Sequence, residues 1–138
     1  MNEPKRTFLD SGVLISAARG TDNTALQALQ ILDDPDLAFV SSIFVKLEVL
    51  PKAIYNGFRE EASFYRSFFE NDVDFWVSFS DELVETAQQN AGKFGLSALD
   101  ALHVAAAISA GADEFITTER SGKPMFRVKG ISVRSIFE

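Results

Sequence analysis

With 138 residues, 46% of them hydrophobic and 24% charged, the chain can bury a core of useful size but has no room for two ordinary domains. Its net charge of −7 argues against nonspecific coating of nucleic acid, which relies on lysine and arginine displacing counterions from phosphates. The absence of cysteine excludes disulfide staples, thiolate zinc sites and a cysteine nucleophile, so a metal site here is an oxygen site.

No apolar run approaches the roughly 18 residues of a membrane span. The start, from Met1 to Thr7, carries no signal-peptide apolar block. Both observations lead to the expectation of a soluble, cytoplasmic protein with no membrane partner.

In chain order, Thr7 to Leu9 reads as a short buried strand, followed at Asp10 by a strand-to-helix junction and a helical spacing from Gly12 to Ala18. A second helix covers Asn23 to Leu32 and stops at Asp33-Asp34-Pro35-Asp36. Leu37 to Val40 is the next strand. Ser41 or Ser42 caps a helix that carries Glu48 and runs to Tyr55, with Pro51 as a possible kink and Asn56-Gly57 as its end. Residues 59 to 70 have helical periodicity, with Phe64, Tyr65, Phe68 and Phe69 on a core-facing side. The run from Val73 to Phe79 suits a strand, Ser80 caps a helix closed by Phe94-Gly95, and Ser97 opens another from Ala98 to Ala110. Glu114 to Thr118 forms a strand ending at Glu119, and a last short strand lies near Ile131 to Ile136.

Strands alternating with helices predict an α/β fold with a mostly parallel sheet between helical layers, because parallel neighbours need crossover connections. Such sheets bind ligands beyond the C-terminal ends of their strands. Asp10 and Glu119 fall at such ends, and Glu48 and Asp100 lie on helices able to lean over the same edge. A lone ionised carboxylate resists burial, so four acids converging there call for a compensating cation, and clustered oxygens suit Mg²⁺ or Mn²⁺.

Each acid also has a simpler explanation. Asp10 suits a helix N-cap. Glu48 has Lys52 four residues on, the spacing of an exposed helical ion pair. Asp100 stands three residues after Ser97, as in a capping box, and Glu119 can begin a polar loop. Arg120, Lys123, Arg127, Lys129 and Arg134 form a local run with no acid among residues 120–134. That run reads either as a grip on a phosphate backbone or as a solvated loop and edge strand protected by charge.

Taken together, Phe8-Leu9-Asp10-Ser11, Glu48 in its helix, Ala98-Leu99-Asp100-Ala101-Leu102-His103 and Thr117-Thr118-Glu119 resemble the four acidic motifs of PIN-domain ribonucleases. The resemblance spans almost the whole chain. Within that family the chain looks most like the small VapC-like toxins of type II toxin–antitoxin modules. It implies a single domain over 1–138, a PIN-like three-layer α/β/α sandwich, in which Asp10, Glu48, Asp100 and Glu119 hold one or two Mg²⁺ or Mn²⁺ ions for hydrolysis of RNA.

On the same footing, Ser11 or Thr117 would support a ligand carboxylate or a phosphate, and Arg120, Lys123 and Arg127 would meet the RNA backbone. The resemblance further implies a cognate antitoxin protein and a homodimer. Two positions depart from the family: Gly12 stands where Asn or Ser is usual, and Glu119 where the fourth acid is usually Asp. His103, the sole histidine, is expected to pack between helices without a catalytic role. The alternatives are a catalytically decayed PIN-like binding module and a metal-dependent phosphatase acting on small phosphate esters.

Overall fold

Short apolar runs bounded by turn residues become strands, and in the computed structural model, which describes residues 3–137, five of them form one sheet. They are β1 (Lys5–Leu9), β2 (Leu37–Ser42), β3 (Val73–Val77), β4 (Glu114–Thr117) and β5 (Ser132–Ser135). Every pairing is parallel, in the order β3-β2-β1-β4-β5. The central strands read as near-continuous hydrophobic runs because they are covered on both faces: Phe8, Leu9, Val40, Phe115 and Ile116 are completely buried. The crossovers supply six helices, α1 (Ser11–Arg19), α2 (Asn23–Leu32), α3 (Ile43–Tyr55), α4 (Arg59–Ser67), α5 (Asp81–Phe94) and α6 (Ala98–Ser109), which complete the α/β/α sandwich.

Caps fix where these helices begin. The hydroxyls of Ser42, Ser80 and Ser97 accept from the backbone N–H groups of Val45, Leu83 and Asp100. Gly95, at φ +81°, closes α5 in the left-handed conformation that its missing Cβ permits. Helix α3 continues through Pro51 to Tyr55 without interruption.

Some boundaries differ from the sequence reading. Helix α1 starts at Ser11, one residue early. The helix read as 59–70 stops at Ser67 and continues as a wider π-helical turn over Phe68–Asp72. Phe68 and Phe69 are adjacent, yet both are buried against the core, and the wider turn accommodates a pair that a regular helix turns 100° apart. Strand β3 ends at Val77, short of Phe79, and the loop after Glu119 contains a 3₁₀ turn over Pro124–Arg127 around the buried Met125. Met1 and Asn2, part of the start for which no signal-peptide block is expected, lie outside the described residues.

The sheet order positions the site. From β1 the chain moves to one side through β2 and β3, then returns to the other side of β1 as β4 and β5. Beyond the C-terminal ends of β1 and β4 the connections therefore diverge, leaving the crevice where open α/β sheets take ligands.

Candidate active site

Asp10 and Thr117 face each other across that crevice. The backbone N–H of Asp10 donates to Ile116 O at 2.9 Å, extending the β1–β4 ladder by one bond and fixing the aspartate at the sheet edge. The residue is 6% exposed. Oδ1 accepts from Ser11 N at 2.9 Å, and Oδ2 accepts from the buried Thr117 hydroxyl at 2.8 Å. Thr117 Oγ1 accepts in turn from Glu119 N at 3.1 Å, so the end of β4 is tied to the turn beyond it.

The cap interpretation of Asp10 is thus half of the account: it caps α1 through one oxygen and is held by β4 through the other. Burial pushes its carboxyl above the usual aspartate range. The electrostatic interaction with His103 and the Thr117 hydrogen bond oppose that shift, and the charge of Asp100 adds to it. Among the described residues no cation stands within ion-pair distance of Asp10.

Glu48 comes from the second turn of α3. Its Oε1 lies 2.8 Å from Nε2 of His103 on α6, with side-chain exposures of 29% and 1%. The hydrogen bond to His103 holds the Glu48 carboxyl below its usual range against the opposing effect of burial; the Ser11 hydroxyl, the electrostatic interaction with His103 and the charge of Lys52 also lower it. The exposed Glu48–Lys52 ion pair suggested by spacing is not among those formed by the described residues. His103 does pack between elements, its ring centroid 6.2 Å from that of Phe8, but it also holds an acid of the cluster. A signal for this was present in the sequence, since Asp100 and His103 at i and i+3 share a face of α6.

Asp100, half-buried in the first turn of α6, is capped through its backbone N–H by Ser97 Oγ at 3.4 Å. The reciprocal half of a capping box is missing: among the described residues its carboxylate accepts no hydrogen bond, and it adds its negative field to Asp10 instead. Glu119 lies two residues beyond β4 and is exposed, its carboxylate unpartnered among the described residues. The structure therefore gathers Asp10, Glu48 and Asp100 with Ser11, Thr117 and His103, and leaves the Glu119 side chain at the rim.

The donor chemistry suits a hard divalent cation: carboxylates from separate elements, a buried member without a counter-charge, and hydroxyls behind them. The cluster is open. Among the described residues no three histidine and carboxylate side chains stand close enough together to enclose a metal ion.

Two further features bear on the edge. A Cβ on Gly12 would come within 2.2 Å of Thr118 Oγ1, so α1 and the β4 turn approach as closely as they do because position 12 has no side chain. In the basic run, Arg120, Lys123, Arg127 and Lys129 are exposed, with the Arg120 guanidinium 4.5 Å over the Phe137 ring. Arg134 points to other work, donating from Nε to Glu114 Oε1 at 3.1 Å.

Comparison with solved structures finds the same fold in VapBC2 of Rickettsia felis bound to a promoter DNA fragment, with a TM-score of 0.70, 14% identity, and 94% of this chain and 98% of that one covered. A Klebsiella pneumoniae toxin–antitoxin complex gives 0.69 and 21% over 96% and 98%, and VapC20 of Mycobacterium tuberculosis, a sarcin-ricin-loop-cleaving toxin, gives 0.71 and 16% over 93% and 98%. No curated protein is similar enough in sequence to count as a relative. The signature of the PIN domain matches residues 7–122, from the strand that delivers Asp10 to the turn beyond Glu119, and by that match this chain belongs to the PIN domain family.

Proposed function

We propose that this chain, as a single PIN-like domain, is a metal-dependent endoribonuclease and the toxin of a toxin–antitoxin pair. The observation that carries the reading is the convergence of Asp10, Glu48 and Asp100 from three elements on the switch point of the sheet, with Asp10 buried and, among the described residues, lacking a cation. Asp10 and Asp100 would be the principal holders of Mg²⁺ or Mn²⁺, with Glu48 and Glu119 completing the set. A bound divalent ion supplies Lewis acidity and a water of lowered pKa for phosphodiester hydrolysis. Thr117 and Ser11 orient Asp10, and Arg120, Lys123 and Arg127 give the RNA backbone a charged approach that fixes position without reading sequence.

The likeness to toxin–antitoxin complexes supports a protein antitoxin as partner. The outer face of α3 offers a surface for that partner or for a second copy: Ile43, Leu47 and Ile54 are exposed, and with Leu50 they follow the 4-3-4 spacing of a helix-pairing seam. The site of action under this reading is the cytoplasm; among the described residues no helix is long and apolar enough to cross a membrane.

Cleavage of a fluorescent single-stranded RNA panel with Mn²⁺, Mg²⁺ or EDTA tests the reading, with Asp10→Asn and Asp100→Asn preparations run alongside. The expected result is metal-dependent cleavage lost in both variants. The exposed Glu119 and the open cluster favour one second reading, a PIN-like binding module without catalysis; metal-induced stabilisation with no cleavage of any RNA would establish it instead.

A further inference from the structure

We infer that His103 is a positioning residue for the acid cluster: its Nε2–H donates to Glu48 Oε1 and holds that carboxylate over the sheet edge for a divalent cation. The inference rests on the metal-site reading above and adds to it a residue that the sequence assigned to packing alone.

The geometry dictates the direction of the hydrogen bond. Nε2 lies 2.8 Å from a carboxylate oxygen, which only accepts, so the proton belongs to the ring. Nδ1 is buried and has no hydrogen-bond partner among the described residues. The tautomer with its proton on Nδ1 would bury an unpaired N–H and at the same time set a lone pair of Nε2 against the carboxylate. The Nε2–H form leaves only a bare acceptor at Nδ1, the cheaper of the two defects.

The ring itself has little freedom. It is 1% exposed, set on α6 among the buried Ala101, Val104 and Ala107, and lies against Phe8 at the centre of the sheet. Glu48 has the opposite character, a flexible side chain 29% exposed at the edge. A rigid donor gripping a mobile carboxylate through one oxygen leaves Oε2 for a cation and removes rotamer freedom that binding would otherwise have to suppress.

The test is Mn²⁺ titration by thermal shift and calorimetry on the full chain, comparing wild type with His103→Leu and His103→Gln, and each again in a Glu48→Ala background. The expected result is an apparent Mn²⁺ affinity about 10- to 100-fold weaker in His103→Leu. His103→Gln, whose amide reaches the position of Nε2, recovers most of the loss, and neither substitution has a further effect once Glu48 is gone. If His103→Leu lowers the metal-free melting temperature but leaves Mn²⁺ affinity at the wild-type value, His103 only packs and the inference is overturned.

A nitrogen-15 spectrum of the metal-free protein gives a readout independent of metal. As the sole histidine, His103 yields a single imidazole set, and a protonated Nε2 perturbed by Glu48→Ala is expected, whereas an unprotonated Nε2 overturns the inference. A wild-type protein that ignores Mn²⁺ removes the metal-site reading and this role with it. That outcome is distinct from a wild type that binds Mn²⁺ and a His103→Leu variant that binds it equally well.

Discussion

Two carboxylates are buried at opposite ends of the same pair of central strands, and they are treated differently. Glu114, at the start of β4, is 3% exposed and fully served: the Thr7 hydroxyl donates to Oε2 at 3.0 Å, while Lys5 Nζ at 3.4 Å and Arg134 Nε at 3.1 Å hold Oε1. Asp10, just past the end of β1, is 6% exposed and receives one amide N–H and one hydroxyl but, among the described residues, no cation. Charge compensation, then, separates the two ends where burial does not. A buried acid with its counter-charges built in closes a structure, and one without them is poised for a charge that arrives from outside.

The largest expected effect sharpens this contrast. Asp10→Asn should reduce RNA cleavage by more than about 100-fold, beyond the range typical of residues that only support a metal ligand, measured at saturating Mn²⁺. In EDTA the same variant should melt no lower than wild type. The sign follows from the raised carboxyl of Asp10: its folded form keeps a proton to higher pH than the unfolded chain does. That contribution is complete below the unfolded pKa and is lost as pH rises through the folded one. Metal-free wild type should therefore lose stability relative to Asp10→Asn as pH rises from about 4 towards neutrality, and melting curves across that range check it.

Glu114→Ala should behave in the opposite way, costing about 2 to 3 kcal/mol at neutral pH because it leaves the buried Thr7 hydroxyl only its longer bond to Lys5 O and strands two cations that are themselves half exposed. Denaturant unfolding measures it, and a loss under about 0.5 kcal/mol, the size of an ordinary surface substitution, would break the comparison.

A smaller effect should come from Gly12→Ala. The new methyl group meets Thr118 Oγ1, at a cost of about 1 to 2 kcal/mol, and adding Thr118→Ala should recover much of that cost. A double-mutant cycle in urea reads the coupling.

Glu61 offers the mildest case, a carboxylate between the two extremes. Arg19 Nε donates to it at 2.7 Å and the Tyr65 hydroxyl at 2.9 Å, and the Arg19 hydrogen bond does most to hold it below the usual range. Its stabilisation is present above the unfolded pKa and lost as pH falls through the folded one. Glu61→Gln should therefore cost up to about 1 kcal/mol at neutral pH and nothing at low pH, as thermal melts at the two pH values would show.

Local signals were the legible part of this chain. Ser41 or Ser42, Ser80 and Ser97 mark helix starts, Gly95 marks an end, and the alternation of strands and helices marks a parallel sheet with its ligands at one edge; the structure selects Ser42 of the first two. Acid positions were legible for the same reason, since each sits at a recognisable point of an element. Their partners were not. Glu48 reads as the mate of Lys52 four residues away, yet binds His103 across 55 residues of chain, because burial at the sheet edge favours a rigid ring over a solvated lysine. The pairing of Gly12 with Thr118 depends on how closely two elements approach, which no local pattern encodes. The π-helical turn was hidden because two adjacent phenylalanines do not violate helical periodicity until both must enter one core.

The hydrogen bond from Thr117 to Asp10 spans 107 residues, and Ile136 N closes on Thr117 O from still further along the chain. The first strand therefore waits for nearly the last one to be synthesised, and the crevice between them exists only when β4 has been made and inserted beside β1. Such long closure slows folding, and it also sets an order of events during synthesis. Whatever chemistry this edge performs begins only after the chain has emerged through Thr117, so a copy cut short of β4 has Asp10, Glu48 and Asp100 but not the place where they meet.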